Sequence, residues 1–283
     1  MYVRKVGVLA VVALVCTMGV AAGAGPLADG TNALSESSDA ANVAQHANNS
    51  SVLLVESLEA PDAAVPGSTV VVNATVRNPT NETVSEDVAF RIEGGGVDLV
   101  RHTTVEVNAS STTNVSFELD TTGVPMDEYI HGVTTYSSSE FAVLELTNQS
   151  QVDFSAQETD GATVTVDAVF VPEGGFVTIH DSTLLEGDAL GSVVGVSDYL
   201  EPGYYENVEV TLYGDVPGAD FQQDRLTEGE TLIAMPHLDS NGNGTYDFLT
   251  TNGSEDGPYT VDGEAVVEAG DVTVTNSTNT TDS

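Results

Sequence analysis

Apolar and polar residues alternate along most of this 283-residue chain, and no other feature constrains its fold as strongly. Successive side chains of a β-strand point to opposite faces, so a period of two predicts strands with one buried face. Turn-forming pairs such as Pro66-Gly67 and Asn241-Gly242 separate the alternating runs, and no stretch has the helical period of 3.6. The sequence therefore predicts an all-β protein made of two tandem Ig-like β-sandwiches. The alternating runs lie at 70–76, 88–92, 105–109, 115–119, 164–170, 208–212 and 272–274.

The amino-terminal residues have the pattern of a secretory signal peptide. Arg4 and Lys5 precede an apolar run at 6–20, and a small-x-small cleavage site follows at 22–24. The alternative is a single membrane anchor, but the run is short for a spanning helix. We predict a signal peptide at 1–24, a disordered linker at 25–50, sandwiches at 51–150 and 151–275, and a disordered tail at 276–283, with no transmembrane anchor after cleavage.

The charge indicates where the protein works. The chain has 44 acidic and 6 basic side chains, a formal net charge of −38, and Lys5 is its only lysine. Such a charge makes a compact chain repel itself, unless salt shortens the Debye length from about 10 Å at 0.1 M to about 3 Å at 1 M. We therefore predict an extracellular or cell-surface protein of a halophilic archaeon. Nucleic acid and anionic membranes are excluded as partners, because both are bound by clusters of Lys and Arg.

Cys16, the only cysteine, lies inside the predicted signal peptide. The mature chain therefore has no disulfide and no thiolate metal ligand. His180, His237 and Met235 would suit a copper site on a β-sandwich, but a blue-copper centre also needs a Cys thiolate. We predict that these histidines make ordinary local hydrogen bonds.

Both predicted domains resemble known families. Residues 51–150 resemble the adhesion-related Ig-like modules of bacterial and archaeal surface proteins, through the segments 65–72, 76–80 and 126–133. Residues 151–275 resemble a domain of unknown function that is widespread in secreted haloarchaeal proteins. The segments that carry this second resemblance are 171–181, 194–203, 231–248 and 256–263. The first resemblance implies a spacer or adhesion element, and the second implies no known activity.

Residues 239–247 fit the first nine positions of a calcium-binding loop, D-x-N-x-N-G-x-x-D. Position twelve is Thr250 instead of the usual bidentate Glu, and the flanks have strand patterns, so an EF-hand is not predicted. Glu255 or Asp256 could complete the shell. The alternative is a polar hairpin tip, because Asn-Gly pairs favour turns. The predicted calcium ligands are Asp239, Asn241, Asn243, Thr245 and Asp247.

Two further sets of residues are candidates for function. Tyr199, Tyr204 and Tyr205 surround Pro202-Gly203 and could stack on sugars or protein partners, although tyrosines at strand ends commonly serve packing. The sequence also contains many N-x-[ST] sequons, which predicts a glycoprotein. The predicted glycosylation sites are Asn73, Asn81, Asn108 and Asn114.

The sequence contains no recognisable catalytic motif, so we predict a non-enzymatic protein. The predicted role is structural, adhesive or interacting, at the cell surface or outside the cell. The alternative is an extracellular module that binds a polysaccharide or a cell-surface protein and is stabilised by calcium.

Overall fold

The computed structural model describes residues 52–275, which consist mainly of β-strands. The strands of the first half are β1 (Leu54–Glu59), β2 (Ala63–Ala64), β3 (Thr69–Arg77), β4 (Val84–Gly94), β5 (Val97–Val107), β6 (Thr112–Asp120), β7 (Glu128–Thr134) and β8 (Ser139–Leu146). Those of the second half are β9 (Gln151–Asp153), β10 (Gln157–Thr159), β11 (Thr163–Val171), β12 (Phe176–His180), β13 (Val193–Val196), β14 (Gly203–Thr211), β15 (Glu230–His237), β16 (Thr260–Val261), β17 (Glu264–Ala265) and β18 (Glu268–Val274). Within the described range the only helix is a 3-10 turn at Ser182–Glu186. The all-β prediction is confirmed.

The described residues form two compact units. The first comprises 52–60, Thr69–Val124 and Glu128–Leu144, and the second comprises Pro61–Ser68, Pro125–Asp127 and 145–275. The predicted domain boundary after residue 150 stays a prediction. The predicted signal peptide, linker and tail lie outside the described residues. Between residues 52 and 275, no helix has the length and apolar character needed to cross a membrane.

In the first unit two antiparallel sheets face each other. One has the strand order β1-β3-β6, and the other contains β8-β7-β4-β5. The alternating apolar residues of β3 are buried, and the apolar partners across the ladder on β6 are buried too, for example Val72 opposite Phe117. The ring of Phe90 on β4 stacks on Phe117 at a centroid distance of 4.8 Å, which joins the two sheets. Burying each such side chain contributes about 1.5–3 kcal/mol, so the alternation predicted from the sequence supplies the core.

The second unit also has two sheets. The larger has the order β10-β18-β15-β12-β13, and the smaller has β14-β11-β9. A backbone bridge between Gly195 and Leu212 connects β13 to the residue after β14. The core between the sheets is apolar and is formed by Phe154, Val164, Val166, Val169, Val171, Val177, Ile179, Val194, Val210, Leu212, Leu226, Leu232, Ala234, Tyr259 and Val272.

Strand β15 lies between β12 and β18, and its continuous apolar sequence is buried on both faces. Leu232 and Ala234 face the main core. Met235 and His237 lie opposite Thr178 and Phe176 of β12, on the other face. The segment that follows β15 covers this second face, where Phe176, Val193, Val216, Tyr246 and Phe248 form a smaller apolar cluster. The candidate calcium loop belongs to this covering segment.

Candidate functional site

The loop 239–247 begins directly after β15 and is tied down where it starts. Leu238 N donates to Gly257 O at 3.0 Å, and a backbone bridge links His237 to Pro258. The chain therefore leaves the sheet, forms the loop, and returns beside its starting point. The loop residues from Asn241 to Thr245 are exposed.

Within this loop the polar side chains bind its own backbone. The carboxylate of Asp239 accepts from Asn243 N at 3.1 Å and from Gly244 N at 2.9 Å. Asn243 Oδ1 accepts from Thr245 N at 2.7 Å. Gly244 has a φ of +67°, a value that glycine adopts at little cost. The spacing of acidic and amide residues therefore gives a tight turn.

Asp247 closes the loop from the other end. Its Oδ2 accepts from Asn243 Nδ2 at 2.7 Å and from Asn241 Nδ2 at 3.0 Å, and these hydrogen bonds lower the pKa of Asp247. The structure thus brings together Asp239, Asn241, Asn243 and Asp247, whereas Thr245 takes part through its backbone N–H. Among residues 52–275 no three Asp, Glu, His or Cys side chains cluster as metal ligands do. Calcium binding stays a prediction.

Asp256 fastens the base of the loop. It is fully buried, and its carboxylate accepts from Ser240 N at 2.8 Å and from Asp247 N at 2.7 Å. Ser240 Oγ in turn accepts from Asp256 N at 2.9 Å and lies 2.6 Å from Glu255 Oε2. A buried carboxylate is tolerated when hydrogen bonds satisfy its oxygens, and here they do so while joining both ends of the loop. The sequence indicated Asp256 as a possible cation ligand and gave no signal for this fastening role.

Beneath the loop lies a buried layer of aromatic rings. The ring of His237 packs edge-on against Phe248 at 4.8 Å and against Tyr246 at 5.7 Å. Its Nδ1 lies 2.6 Å from the carbonyl oxygen of Asp256. A carbonyl accepts only, so Nδ1 carries the proton and the neutral ring presents its Nε2 lone pair to Met235 Sδ, 3.2 Å away. The histidine therefore links the strand to the base of the loop.

The hydrogen bonds around His180 fix its tautomer. Thr178 Oγ1 donates to Met235 O at 3.0 Å, so it accepts from His180 Nε2, also at 3.0 Å. His180 Nδ1 then accepts from Ser192 Oγ at 2.8 Å. Both ring nitrogens are satisfied by hydroxyl groups, which is the local hydrogen bonding that the sequence predicted.

Both histidines of this layer are neutral at ordinary pH. Burial, with His237 nearby, lowers the pKa of His180 to about 3, and burial lowers the pKa of His237 to about 4. The two rings lie 5.9 Å apart in a stacked arrangement. Both rings are therefore packed in their neutral form near pH 7.

The three candidate tyrosines do not form one platform. Tyr204 and Tyr205 are consecutive in β14, so their side chains point to opposite faces of the sheet. Tyr205 packs against the core and donates to Glu201 O at 2.9 Å, and Tyr204 donates to Asp62 Oδ2 at 3.2 Å. Tyr199 packs edge-on against Phe176 at 5.7 Å. All three are half-buried, as packing residues are, and their binding role stays a prediction.

The four predicted glycosylation sites are exposed, as an attached glycan requires. Asn73 lies on β3 and Asn114 on β6, whereas Asn81 and Asn108 lie in the turns β3–β4 and β5–β6. The buried side chain of Asn78 joins these two turns through hydrogen bonds to the carbonyl oxygens of Glu82, Val107 and Asn108, at 2.7, 2.9 and 3.1 Å.

Two solved structures resemble short parts of this chain only weakly. A cycloisomaltooligosaccharide glucanotransferase from Paenibacillus sp. is 18% identical, with a TM-score of 0.32 over 38% of this chain and 16% of that one. A β-glucosidase from Erythrobacter marinus is 14% identical, with a TM-score of 0.32 over 34% of this chain and 16% of that one. Scores this low carry no argument about fold or activity.

Sequence relatives are more informative. Cell surface glycoproteins 2 and 1 of Haloarcula hispanica are 40% and 39% identical to this chain over 145 residues, which is 51% of this chain and 14% of each relative. This similarity supports a cell-surface protein of a halophilic archaeon. The Ig-like resemblance of residues 51–150 stays a prediction. Residues 150–273, which lie in the second unit, match the family described as Domain of unknown function (DUF7282).

Proposed function

We propose that this chain is a non-enzymatic protein of the haloarchaeal cell surface, with a structural or adhesion role. The first unit would serve as a spacer and the second as an interaction domain. The similarity at 40% identity to a cell surface glycoprotein carries this proposal. The chain spans only 14% of that relative, so no activity of the whole relative is transferred.

The geometry of the second unit supports a structural role. His180, His237 and Asp256 are titratable groups of this unit, and each is buried and held by internal hydrogen bonds. A general base works best when its pKa lies near the working pH, and the pKa values of both histidines lie well below 7. The site therefore favours stability over turnover.

Localisation and modification test this proposal together. The full chain with a carboxy-terminal epitope tag is expressed in a halophilic archaeon, and antibody binding to intact cells is compared with binding to lysed cells. We expect labelling of intact cells or recovery from the medium, and glycopeptides at Asn73, Asn81, Asn108 and Asn114 in mass spectrometry. Labelling confined to lysed cells would refute the surface location, and four bare asparagines would refute the predicted glycosylation.

A second candidate is an extracellular module that binds a polysaccharide or protein and is stabilised by calcium. The observation that favours it is the convergence of Asp239, Asn241, Asn243 and Asp247 in one exposed loop. With two carboxylates among these four ligands, the affinity would be in the millimolar range of extracellular modules. Binding to a glycan array that is lost in Tyr204→Ala would support the polysaccharide partner.

A melting experiment tests the calcium part of this alternative. We expect millimolar Ca²⁺ to raise the Tm of the wild type by a few degrees, because a ligand that binds only the folded state stabilises it. Measured against NaCl of equal ionic strength, Asp247→Asn should abolish the rise, whereas Glu264→Gln, an exposed acid on β17, should keep it. No rise in the wild type at low competing salt would end the calcium hypothesis.

A further inference from the structure

Two glycosylation sequons lie directly opposite each other on neighbouring strands. Asn73-Ala74-Thr75 belongs to β3 and Asn114-Val115-Ser116 to β6. The strands are antiparallel, with Asn73 opposite Ser116 and Thr75 opposite Asn114. The register therefore places the asparagine of each sequon against the hydroxyl residue of the other.

The hydroxyl group of each sequon donates a hydrogen bond to the asparagine of the other. Ser116 Oγ donates to Asn73 Oδ1 at 2.7 Å, and Thr75 Oγ1 donates to Asn114 Oδ1 at 3.2 Å. In both bonds the acceptor is the carbonyl oxygen of the asparagine amide. The amide nitrogen Nδ2 takes no part in either bond and lies on the opposite branch of the amide.

The core fixes which way these side chains point. Ala74 and Val115 are the middle residues of the two sequons, and they are buried opposite each other in the ladder. Side chains alternate along a strand, so burial of the middle residues forces both asparagines to the outward face. Both asparagines are exposed, and they are diagonal neighbours at a distance of about 7–8 Å.

We propose that Asn73 and Asn114 form a reciprocal glycosylation pair, in which the hydroxyl of each sequon holds the glycosylated amide of the other. The proposal rests on the predicted glycosylation of the proposed surface protein and extends it to a specific geometry. Two glycans would leave one face of the β1-β3-β6 sheet side by side, each with its linking amide held in a fixed orientation.

The chemistry of attachment is compatible with the hydrogen bonds. N-glycosylation forms a bond between Nδ2 and the anomeric carbon of the sugar, and it breaks the bond from that carbon to the phosphate of a glycosyl phosphate donor. Nδ2 loses one proton to water, and the phosphate leaves with the bonding electron pair. Oδ1 is unchanged, so Ser116 and Thr75 can donate to it after modification as before.

The other two predicted sites of the first unit lack this arrangement. Asn81 lies in a turn, and Ser110, the hydroxyl residue of the Asn108 sequon, donates to Thr80 O at 3.1 Å. Ser110 also has a positive φ of 53°, unlike an extended strand residue. The pairing is therefore a property of β3 and β6 and not of sequons in general, which provides an internal comparison.

Two variants distinguish the effect of the hydroxyl hydrogen bond on the Asn73 amide from the effect of the glycan on Asn114. Asn114→Gln and Ser116→Ala both destroy the sequon at Asn114, but only Ser116→Ala removes the hydroxyl that binds Asn73. The readout is the NMR order parameter of the Asn73 Nδ2–H group in the ¹⁵N-labelled full-length glycoprotein. We expect the same order parameter in the wild type and in Asn114→Gln, and a fall to the flexible range below about 0.6 in Ser116→Ala.

The reciprocal pair of variants completes the test. Thr75→Ala should loosen the amide of Asn114, and Asn73→Gln should leave it rigid. Equal order parameters in Ser116→Ala and Asn114→Gln would refute the proposed hydrogen-bonded pair, but they would not contradict glycosylation. Mass spectrometry that finds Asn73 and Asn114 bare in the wild type would instead refute glycosylation at this face, so the two failures are distinguishable.

Discussion

Two tyrosine hydroxyls are buried in the second unit, and they differ in their hydrogen bonding. Tyr259 donates to Gly174 O at 2.6 Å and accepts from Glu173 N at 3.1 Å. The Tyr246 hydroxyl has no hydrogen-bond partner among residues 52–275. Leaving a buried polar group unsatisfied costs about 1–3 kcal/mol, whereas a made hydrogen bond contributes about 1 kcal/mol.

Replacing each hydroxyl should therefore have opposite effects. We expect Tyr246→Phe to raise the free energy of unfolding by about 1 kcal/mol, and Tyr259→Phe to lower it by about 1 kcal/mol or more. Denaturant titrations of both variants at the same salt concentration measure the difference. Similar destabilisation by the two substitutions would contradict the assignment of Tyr246 as the unsatisfied group.

In the first unit, His131 is a buried side chain that, like Tyr246, lacks hydrogen-bond partners among the described residues. It is 1% exposed, its ring lies 5.7 Å from Phe90, and within the described residues neither ring nitrogen has a hydrogen-bond partner. Burial lowers the pKa of His131 from 6.5 to about 4. Between these two values the unfolded chain binds a proton that the folded chain does not, so stability is full above pH 6.5 and falls as the pH is lowered.

The pH dependence of unfolding tests this. Each such histidine contributes a slope of up to about 1.4 kcal/mol per pH unit, and His180 and His237 act with the same sign. We expect His131→Leu to lower the slope of the unfolding free energy between pH 4 and 6.5 by the equivalent of about one bound proton. The same substitution should raise the free energy of unfolding at pH 7. An unchanged slope, measured by unfolding free energies across that range, would be inconsistent with a buried neutral His131.

At the scale of elements, close backbone approaches make some turns intolerant of side chains. Gly161, between β10 and β11, has a φ of +93°, and a Cβ there would lie 2.1 Å from Leu226 O. Gly263, between β16 and β17, has a similar φ of +86° but no atom within 4 Å of its Cβ position. The pair therefore separates backbone strain from steric overlap.

Alanine at these two glycines should have unequal costs. Gly263→Ala should cost about 1–2 kcal/mol, from the left-handed conformation alone. Gly161→Ala should cost about 1–3 kcal/mol more, because Leu226 has to move. Thermal melts of both variants give the comparison. Equal shifts in Tm would show that the backbone at Gly161 accommodates a Cβ atom without an additional steric cost.

The strands could be predicted because their alternation is local, but their partners could not. The pattern of β3 predicts a buried face whatever strand lies beside it, whereas the parallel pairing of β10 with β18 joins residues more than a hundred positions apart. The D-x-N-x-N-G spacing predicted the turn at 239–247 for the same local reason. Asp256 binds the backbone of Ser240 and Asp247 because the returning chain lies beside the start of the loop. The spacing of residues in the sequence does not indicate that path.

At the scale of the whole molecule, the charge is not balanced by ion pairs. The net charge is −38, and the three ion pairs of the described residues are Arg77–Glu56, Arg91–Asp98 and Arg225–Asp224. All six side chains are at least 40% exposed, and such surface pairs contribute about 0–1 kcal/mol each. The fold therefore depends on screening by salt to reduce the repulsion among its carboxylates.

The free energy of unfolding should accordingly rise with salt concentration, mostly below about 1 M. Between 0.1 and 1 M the Debye length falls from about 10 Å to about 3 Å, so most of the repulsion is lost in that interval. We expect the Tm to rise by about 10 °C from 0.1 to 1 M NaCl, which corresponds to a few kcal/mol for a protein of this size. KCl should act equally, because screening depends on ionic strength. Sucrose stabilises by exclusion without screening, so a Tm that responds to sucrose but not to NaCl over this range would contradict the electrostatic explanation.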